Sequence, residues 1–244
     1  MTTNPIEAVV IVVPVHDEAA LLDRCLRALA MAVSAVDIPC EVRIVLDACT
    51  DGSASVAARH PFPVVHLAGG AVGAARASGI HRAMANLAHL PPDRVWIANS
   101  DADSVVPANW LRDQLDSAEA GADVVVGTVR PDFDDLSPRH RQLWLETHIP
   151  GLPNGHTHGA NLGLRASTYL AAGGFTPVGE HEDVHLVDAC RRIGASIVAS
   201  DAAEVLTSGR FVGRTPGGYA GYLRDQARML RLGDALLLSQ QEAS

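Results

Sequence analysis

The chain opens with an almost uninterrupted apolar run, Ala8 to Pro14, followed after a polar break by apolar positions at Leu21, Leu22, Cys25, Leu26 and Leu29. A short continuous apolar run marks a strand covered on both faces, and the three-and-four spacing after it puts one apolar stripe on a helix. The alternation then repeats. Val42 to Leu46 reads as a second strand, Ser53 to Ala58 as a short helix and Val64 to His66 as a third strand. Gly69, Gly70 and Gly73 precede a helix running to about Leu90, and Val95 to Ala98, a helix from Trp110 to Ala118 and a strand from Asp123 to Val129 follow. Strands alternating with helices imply crossover connections and a mainly parallel sheet.

After this the rhythm breaks. Residues 131–159 hold prolines, glycines and histidines around one amphipathic stretch, Arg139 to Thr147. A strand from Asn161 to Arg165, the turn Gly173-Gly174-Phe175, a helix from Glu182 to Ile193 and two closing strands, Ser196 to Ala199 and Glu204 to Leu206, come next. The last segment, Tyr219 to Leu238, has helical spacing with Leu223, Met229, Leu230 and Leu237 among its apolar positions. The pattern predicts one α/β domain over residues 1–215, divided into halves at about 8–130 and 131–215, with a helical tail at 216–244.

Composition narrows the chemistry. The 244 residues suffice for one substantial core, and 48% hydrophobic with 19% charged residues is a globular balance. A net charge of -9 argues against nucleic acid, which needs a basic face. All 19 basic residues are arginine, so a P-loop lysine and a Schiff-base lysine are both excluded. Cys25, Cys40, Cys49 and Cys190 are in no metal-ligand spacing and read as free thiols of a reducing compartment. The N-terminus lacks the basic segment of a signal peptide, and the first apolar run is too short to span a bilayer. A cytoplasmic protein is expected, with tail leucines suited to a homodimer contact or to peripheral attachment at a membrane surface.

In an open parallel sheet, ligands bind beyond the carboxyl ends of the strands. Here those ends are acidic: His16-Asp17-Glu18 after the first strand, Asp47 through Thr50-Asp51-Gly52 after the second, and Asp101-Ala-Asp103 after the fourth. Taken singly, each has a local explanation. Acids at a helix start are favoured by the helix dipole, and Thr-Asp-Gly-Ser is ordinary turn and cap chemistry. Together they point to a hard cation and a diphosphate, since Mg²⁺ or Mn²⁺ takes one or two carboxylates and completes its shell with phosphate oxygens and water. No glycine-rich turn follows the first strand, so a dinucleotide dehydrogenase is not expected.

With these motifs in place, the chain resembles the GT-A fold glycosyltransferases of family 2. The resemblance rests, in order, on Pro14-Val-His16-Asp-Glu18, Asp47-Ala-Cys-Thr-Asp51-Gly-Ser, Gly73-Ala-Ala-Arg76, Asp101-Ala-Asp103, Gly159-Ala-Asn161 through Gly173-Gly174-Phe175, and Glu182-Asp183. It implies a three-layer, Rossmann-like fold whose first half binds a nucleotide sugar and whose second half serves the acceptor. It places Pro14, His16 and Glu18 in the nucleoside pocket, Asp47 on the base, Arg76 beside base or ribose, and Asp101 on the ribose or a metal-bound water. Asp103 becomes the main ligand of Mn²⁺ or Mg²⁺, with His158 as a further metal or phosphate contact, and Asp183 the general base of an inverting transfer. Arg210 and Arg214 are in reach of the diphosphate on this reading, while a solvated basic loop explains them equally well.

Two departures matter. Leu46 stands where many relatives carry an additional aspartate, and the glutamine-arginine-tryptophan motif of processive synthases is missing, which favours transfer of a single sugar to an acceptor that the sequence does not identify. A nucleotidyltransferase or sugar-1-phosphate pyrophosphorylase is the alternative enzyme, and a non-catalytic nucleotide-binding module of the same fold the alternative to an enzyme.

Overall fold

A computed structural model describes residues 4–153, 155–213 and 217–242, with side chains described as far as residue 232. Its centre is a seven-stranded sheet in the order β3-β2-β1-β4-β6-β5-β7. The strands are β1 (Ala8–Val15), β2 (Cys40–Asp47), β3 (Val64–Leu67), β4 (Val95–Asn99), β5 (Val124–Pro131), β6 (Leu162–Arg165) and β7 (Ile197–Thr207). β1 pairs in parallel with β2 and β4, and β2 with β3, as the strand and helix alternation implies. β6 runs antiparallel between β4 and β5, and β5 and β7 are again parallel.

Helices cover both faces. On one side α1 (Leu22–Ser34) and α4 (Trp110–Glu119) bury Leu22, Leu26, Leu29, Trp110 and Leu111 against Ile11, Val13 and Trp96. On the other, α3 (Val72–Asn86) and α7 (Glu182–Arg192) bury Ala75, Ile80, Leu186 and Val187 against Val10, Val12 and Ile97. β1 is buried on both faces, which explains its unbroken apolar sequence. α2 (Ser53–Ala57), α5 (Pro138–Thr147), α6 (Ala166–Ala171) and α8 (Tyr219–Glu242) complete the chain.

The structure differs from the sequence reading in particulars. The two closing strands are one, β7, whose pairing with β5 shifts register between Gly127 and Val129. The structure adds the short helix α6, which follows β6 too closely to show a period of its own, and α3 ends at Asn86 short of Leu90. The register shift is built around Asn161. Its Nδ2 donates to Thr128 O at 2.9 Å and Ala203 O at 3.0 Å, its Oδ1 accepts from Trp110 Nε1 at 2.9 Å, and a Cβ at Gly127 would overlap its side chain. Asn161 thereby clamps β5, β7 and α4 beneath the loop that carries residues 156–160. Among the described residues no helix is long and apolar enough to cross a membrane.

Candidate active site

The carboxyl ends of β1, β2 and β4 open onto one cavity of about 640 Å³. Pro14, His16 and Glu18 enter it from β1 and its loop, Asp47 from β2, Arg76 from α3, and Asp101 and Asp103 from the turn after β4. His158 reaches it from the loop before β6, Asp183 from α7 and Arg210 from the segment after β7. Arg214 lies outside the described residues, as does the side chain of Leu237.

Strained backbone flanks the acids. Among the described residues, Asp17, Ala48 and His181 are the non-glycine residues with positive φ, at 52°, 47° and 60°, and they adjoin Glu18, Asp47 and Glu182. Such conformations cost energy for an L residue and persist where surrounding contacts impose them. For Asp17 those contacts are visible: its Oδ1 accepts from Thr50 N at 2.7 Å and Asp51 N at 3.1 Å. The Thr50 and Asp51 amides hold its carboxyl below the usual aspartate range. His16 Nδ1 donates to Asp47 O at 2.5 Å, fixing the tautomer with the proton on Nδ1 because a carbonyl only accepts. The loops after β1 and β2 are thus tied together. Asp47 itself is 6% exposed, and its Oδ1 is buried without a hydrogen-bond partner. A buried acceptor in the wall of a cavity suits a ligand N–H.

Arg76 is the most buried charge in the site, at 1% exposure. Its Nη2 donates to Asp101 Oδ1 at 2.5 Å, its Nη1 to Ser100 O at 3.2 Å and its Nε to Glu182 Oε1 at 3.2 Å. Phe175 lies against the guanidinium, 5.7 Å from ring centroid to Cζ. The nearby carboxylates outweigh burial and raise its pKa further. The resemblance puts Arg76 beside base or ribose; in the structure its fork is engaged by protein groups on every side.

Arg210 forms a second bridge. Its two terminal nitrogens grip Glu18, Nη2 to Oε1 at 2.6 Å and Nη1 to Oε2 at 3.1 Å, and Nη2 also lies 2.9 Å from Asp103 Oδ2. Glu18 is 4% exposed, so the bidentate grip offsets the desolvation of its carboxylate. A guanidinium beside Asp103 marks that carboxylate as a place where positive charge is favoured.

Asp183 sits in the first turn of α7. Its Oδ2 accepts from Gly159 N at 2.7 Å and its Oδ1 from Val184 N at 2.8 Å, which fixes the carboxylate facing the cavity. Glu182, its neighbour, is 6% exposed and turned inward onto Arg76; burial raises its pKa. The two acids are thereby separated into an inner partner of Arg76 and an outer group open to a substrate.

Among the described residues, no three His, Cys, Asp or Glu side chains are grouped so as to hold a metal ion, and His158 lines the cavity on the side away from the β1 and β2 loops. Its ring packs edge-on against Tyr219, with centroids 5.5 Å apart, and burial lowers its pKa to about 4. Asp101 and Asp103 are hard carboxylate donors of the kind that suit Mg²⁺ or Mn²⁺. Sequence reasoning missed His148, Tyr219 and Tyr222, which also line the cavity. Their local periodicity reads only as helix packing, so no signal in the sequence singled them out.

A family model described as "Glycosyl transferase family 2" matches residues 10–171, more than half of the chain. No curated protein sequence matches. Among solved structures, similarity extends to a mannosyltransferase of Pyrobaculum calidifontis in complex with GDP-Man and Mn²⁺ (18% identity, TM-score 0.61, 90% of this chain and 60% of that one). S. aureus TarS 1–349 with UDP-GlcNAc is similar at 15% identity and TM-score 0.63, over 86% of this chain and 61% of that one. Glucosyl-3-phosphoglycerate synthase of Mycobacterium tuberculosis, with Mn²⁺, UDP and phosphoglyceric acid, matches at 14% identity and TM-score 0.57, over 91% of this chain and 77% of that one. At these identities the likeness is one of fold, the GT-A arrangement. The chain spans about 60% of the length of the first two.

Proposed function

Because the chain belongs to glycosyl transferase family 2, we propose that it moves a single sugar from a nucleoside diphosphate sugar to an acceptor hydroxyl, with a divalent cation at Asp101 and Asp103 and inversion at the anomeric carbon. The observation that carries this reading is the gathering of Glu18, Asp47, Asp101, Asp103 and Asp183 with Arg76 and Arg210 around one cavity at the parallel strand ends. Neighbours of the same fold were solved with GDP-Man and Mn²⁺ and with UDP-GlcNAc, which supports a nucleotide sugar as donor.

In this mechanism the unpartnered Asp47 Oδ1 accepts from an N–H of the base, and Pro14 and His16 close the nucleoside pocket around it. Asp101, held by Arg76, presents its remaining oxygen toward the ribose or the cation. Mn²⁺ or Mg²⁺, when bound, neutralises charge that develops on the leaving diphosphate. Arg210 adds positive charge on the same side. Asp183 takes the proton from the acceptor hydroxyl as its oxygen bonds to the anomeric carbon and the bond from that carbon to the diphosphate breaks. A general base needs reach before it needs a tuned pKa, and the Gly159 amide supplies the orientation.

Calorimetric titration of UDP, GDP and dTDP with and without Mn²⁺, followed by a screen of the matching nucleotide sugars for turnover, tests the reading. Tight binding of one nucleotide that weakens without Mn²⁺ and in Asp103→Ala is expected. Failure of every nucleotide to bind, or binding indifferent to both metal and Asp103, would sink it. Asp183→Asn separates an enzyme from a binding module: it should abolish transfer while nucleotide affinity persists.

A further inference from the structure

Phe, Trp and Tyr make up only 4% of the chain, yet they are unevenly spread. Two runs of ring contacts, Phe133–Trp144–His148 and His158–Tyr219–Tyr222, meet at a hydrogen bond between Trp144 and Tyr219. Trp144 stacks on His148 with centroids 3.9 Å apart and planes at 8°, and Phe133 meets Trp144 edge-on at 5.4 Å. Tyr219 meets His158 edge-on at 5.5 Å and stacks with Tyr222 at 5.9 Å. The hydroxyls are held as well: Trp144 Nε1 donates to Tyr219 OH at 3.3 Å and Gln226 Nε2 to Tyr222 OH at 2.6 Å.

A cluster serving only to dock α8 on α5 would close on itself. This one is open. His148, His158, Tyr219 and Tyr222 all line the cavity, and Tyr222 is 41% exposed. The ring wall also starts beside the catalytic machinery, since His158 precedes Gly159, whose N–H holds Asp183.

Charge restricts what this wall can receive. The arginines lining the cavity among the described residues, Arg76 and Arg210, are engaged with Asp101, Glu182, Glu18 and Asp103. An anionic group here would face Glu180 and Asp183 across the same cavity.

We infer that this wall is the acceptor subsite and that its occupant is an uncharged ring bearing the reactive hydroxyl, a saccharide or a phenol, laid against Tyr219 and Tyr222. Flat rings on aromatic faces bury apolar surface while leaving their hydroxyls at the edge, here toward Asp183. The inference rests on the sugar-transfer reading above and names the class of its second substrate.

With the donor fixed by the screen, transfer is measured to methyl glycosides, to 4-methylphenol and to phosphate monoesters of the same sugars. The neutral rings should be used, with kcat/KM for the phosphate esters lower by about tenfold or more; the better of the first two distinguishes saccharide from phenol. Tyr222→Ala should raise the acceptor KM about tenfold and Tyr222→Phe should restore it to within about twofold, since the ring and not the hydroxyl forms the platform. Saturation-transfer NMR of the wild-type protein with UDP or GDP and the same glycoside or phenol gives a reading free of any folding defect: signal transfer to the ring protons is expected. Preference for the phosphate esters, an unchanged KM in a folded Tyr222→Ala, or no saturation transfer overturns the inference. Donor hydrolysis without acceptor persists if only this inference fails; if no nucleotide binds at all, the transfer reading has failed and this one falls with it.

Discussion

The backbone N–H of Gly159 donates to Asp183 Oδ2 at 2.7 Å, and this bond requires glycine at the donor. A Cβ at residue 159 would overlap the Nη2 end of Arg76. That guanidinium cannot swing aside cheaply, because Asp101, Ser100 O and Glu182 all hold it.

Gly159→Ala should therefore act on turnover more than on donor binding. Displacing the 158–160 backbone moves the amide that orients Asp183, and loss of a positioned base costs about 100-fold or more in kcat. Steady-state kinetics with donor and acceptor varied separately provides the check. An unchanged kcat would remove Gly159 from the positioning of Asp183.

Arg76 should resist conservative replacement. Breaking a buried ion pair from one side costs about 3 to 5 kcal/mol, and Arg76 serves two carboxylates at once. Arg76→Met should lower stability on that scale in chemical denaturation. Arg76→Lys should recover only part of it, since one ammonium cannot reproduce a planar fork that spans Asp101, Ser100 O and Glu182. Full recovery by lysine would show that charge alone matters.

Asp47→Ala should weaken nucleotide binding by about tenfold or more, because a base N–H would lose a charged acceptor. Asp47→Asn keeps the shape, and its amide can still offer an oxygen, so it should lose less. Calorimetry with the preferred nucleoside diphosphate measures both. Equal affinity in all three proteins would place the base elsewhere.

Stability should fall as pH drops from about 6.5 toward 4, with His158 as one contributor. Burial lowers its pKa in the fold to about 4, so between those values the unfolded chain binds a proton that the folded chain does not. The sign favours unfolding at lower pH. His158→Gln should flatten the dependence of the denaturation midpoint over that window; an identical slope in the variant would mean that His158 titrates normally.

Much of the fold was legible because its signals are local. β1 is apolar throughout since helices cover both its faces, and the stripe Leu22, Cys25, Leu26 and Leu29 is the buried side of α1. The acids were readable for the same reason: Asp47, Asp101 and Asp103 stand at or just after strand ends and Asp183 in the first turn of a helix, and all four line the cavity. The continuity of β7 was not legible, because its middle residues Ser200, Asp201 and Ala202 lack strand character and lie where the register with β5 jumps, from Ser200 opposite Gly127 to Val205 opposite Val129.

By itself the sequence determined which residue types stand at the strand ends, because burial periodicity and turn chemistry act over a few positions. Only the tertiary structure decided which charges meet. Arg210 grips Glu18 across 192 positions and Arg76 reaches Glu182 across 106, and no periodicity encodes such a pairing. The same holds for the ring wall. Trp144, His158 and Tyr219 sit on separate segments, and what brings their rings together is the packing of α8 against α5, a relation that exists only once the chain has closed on itself.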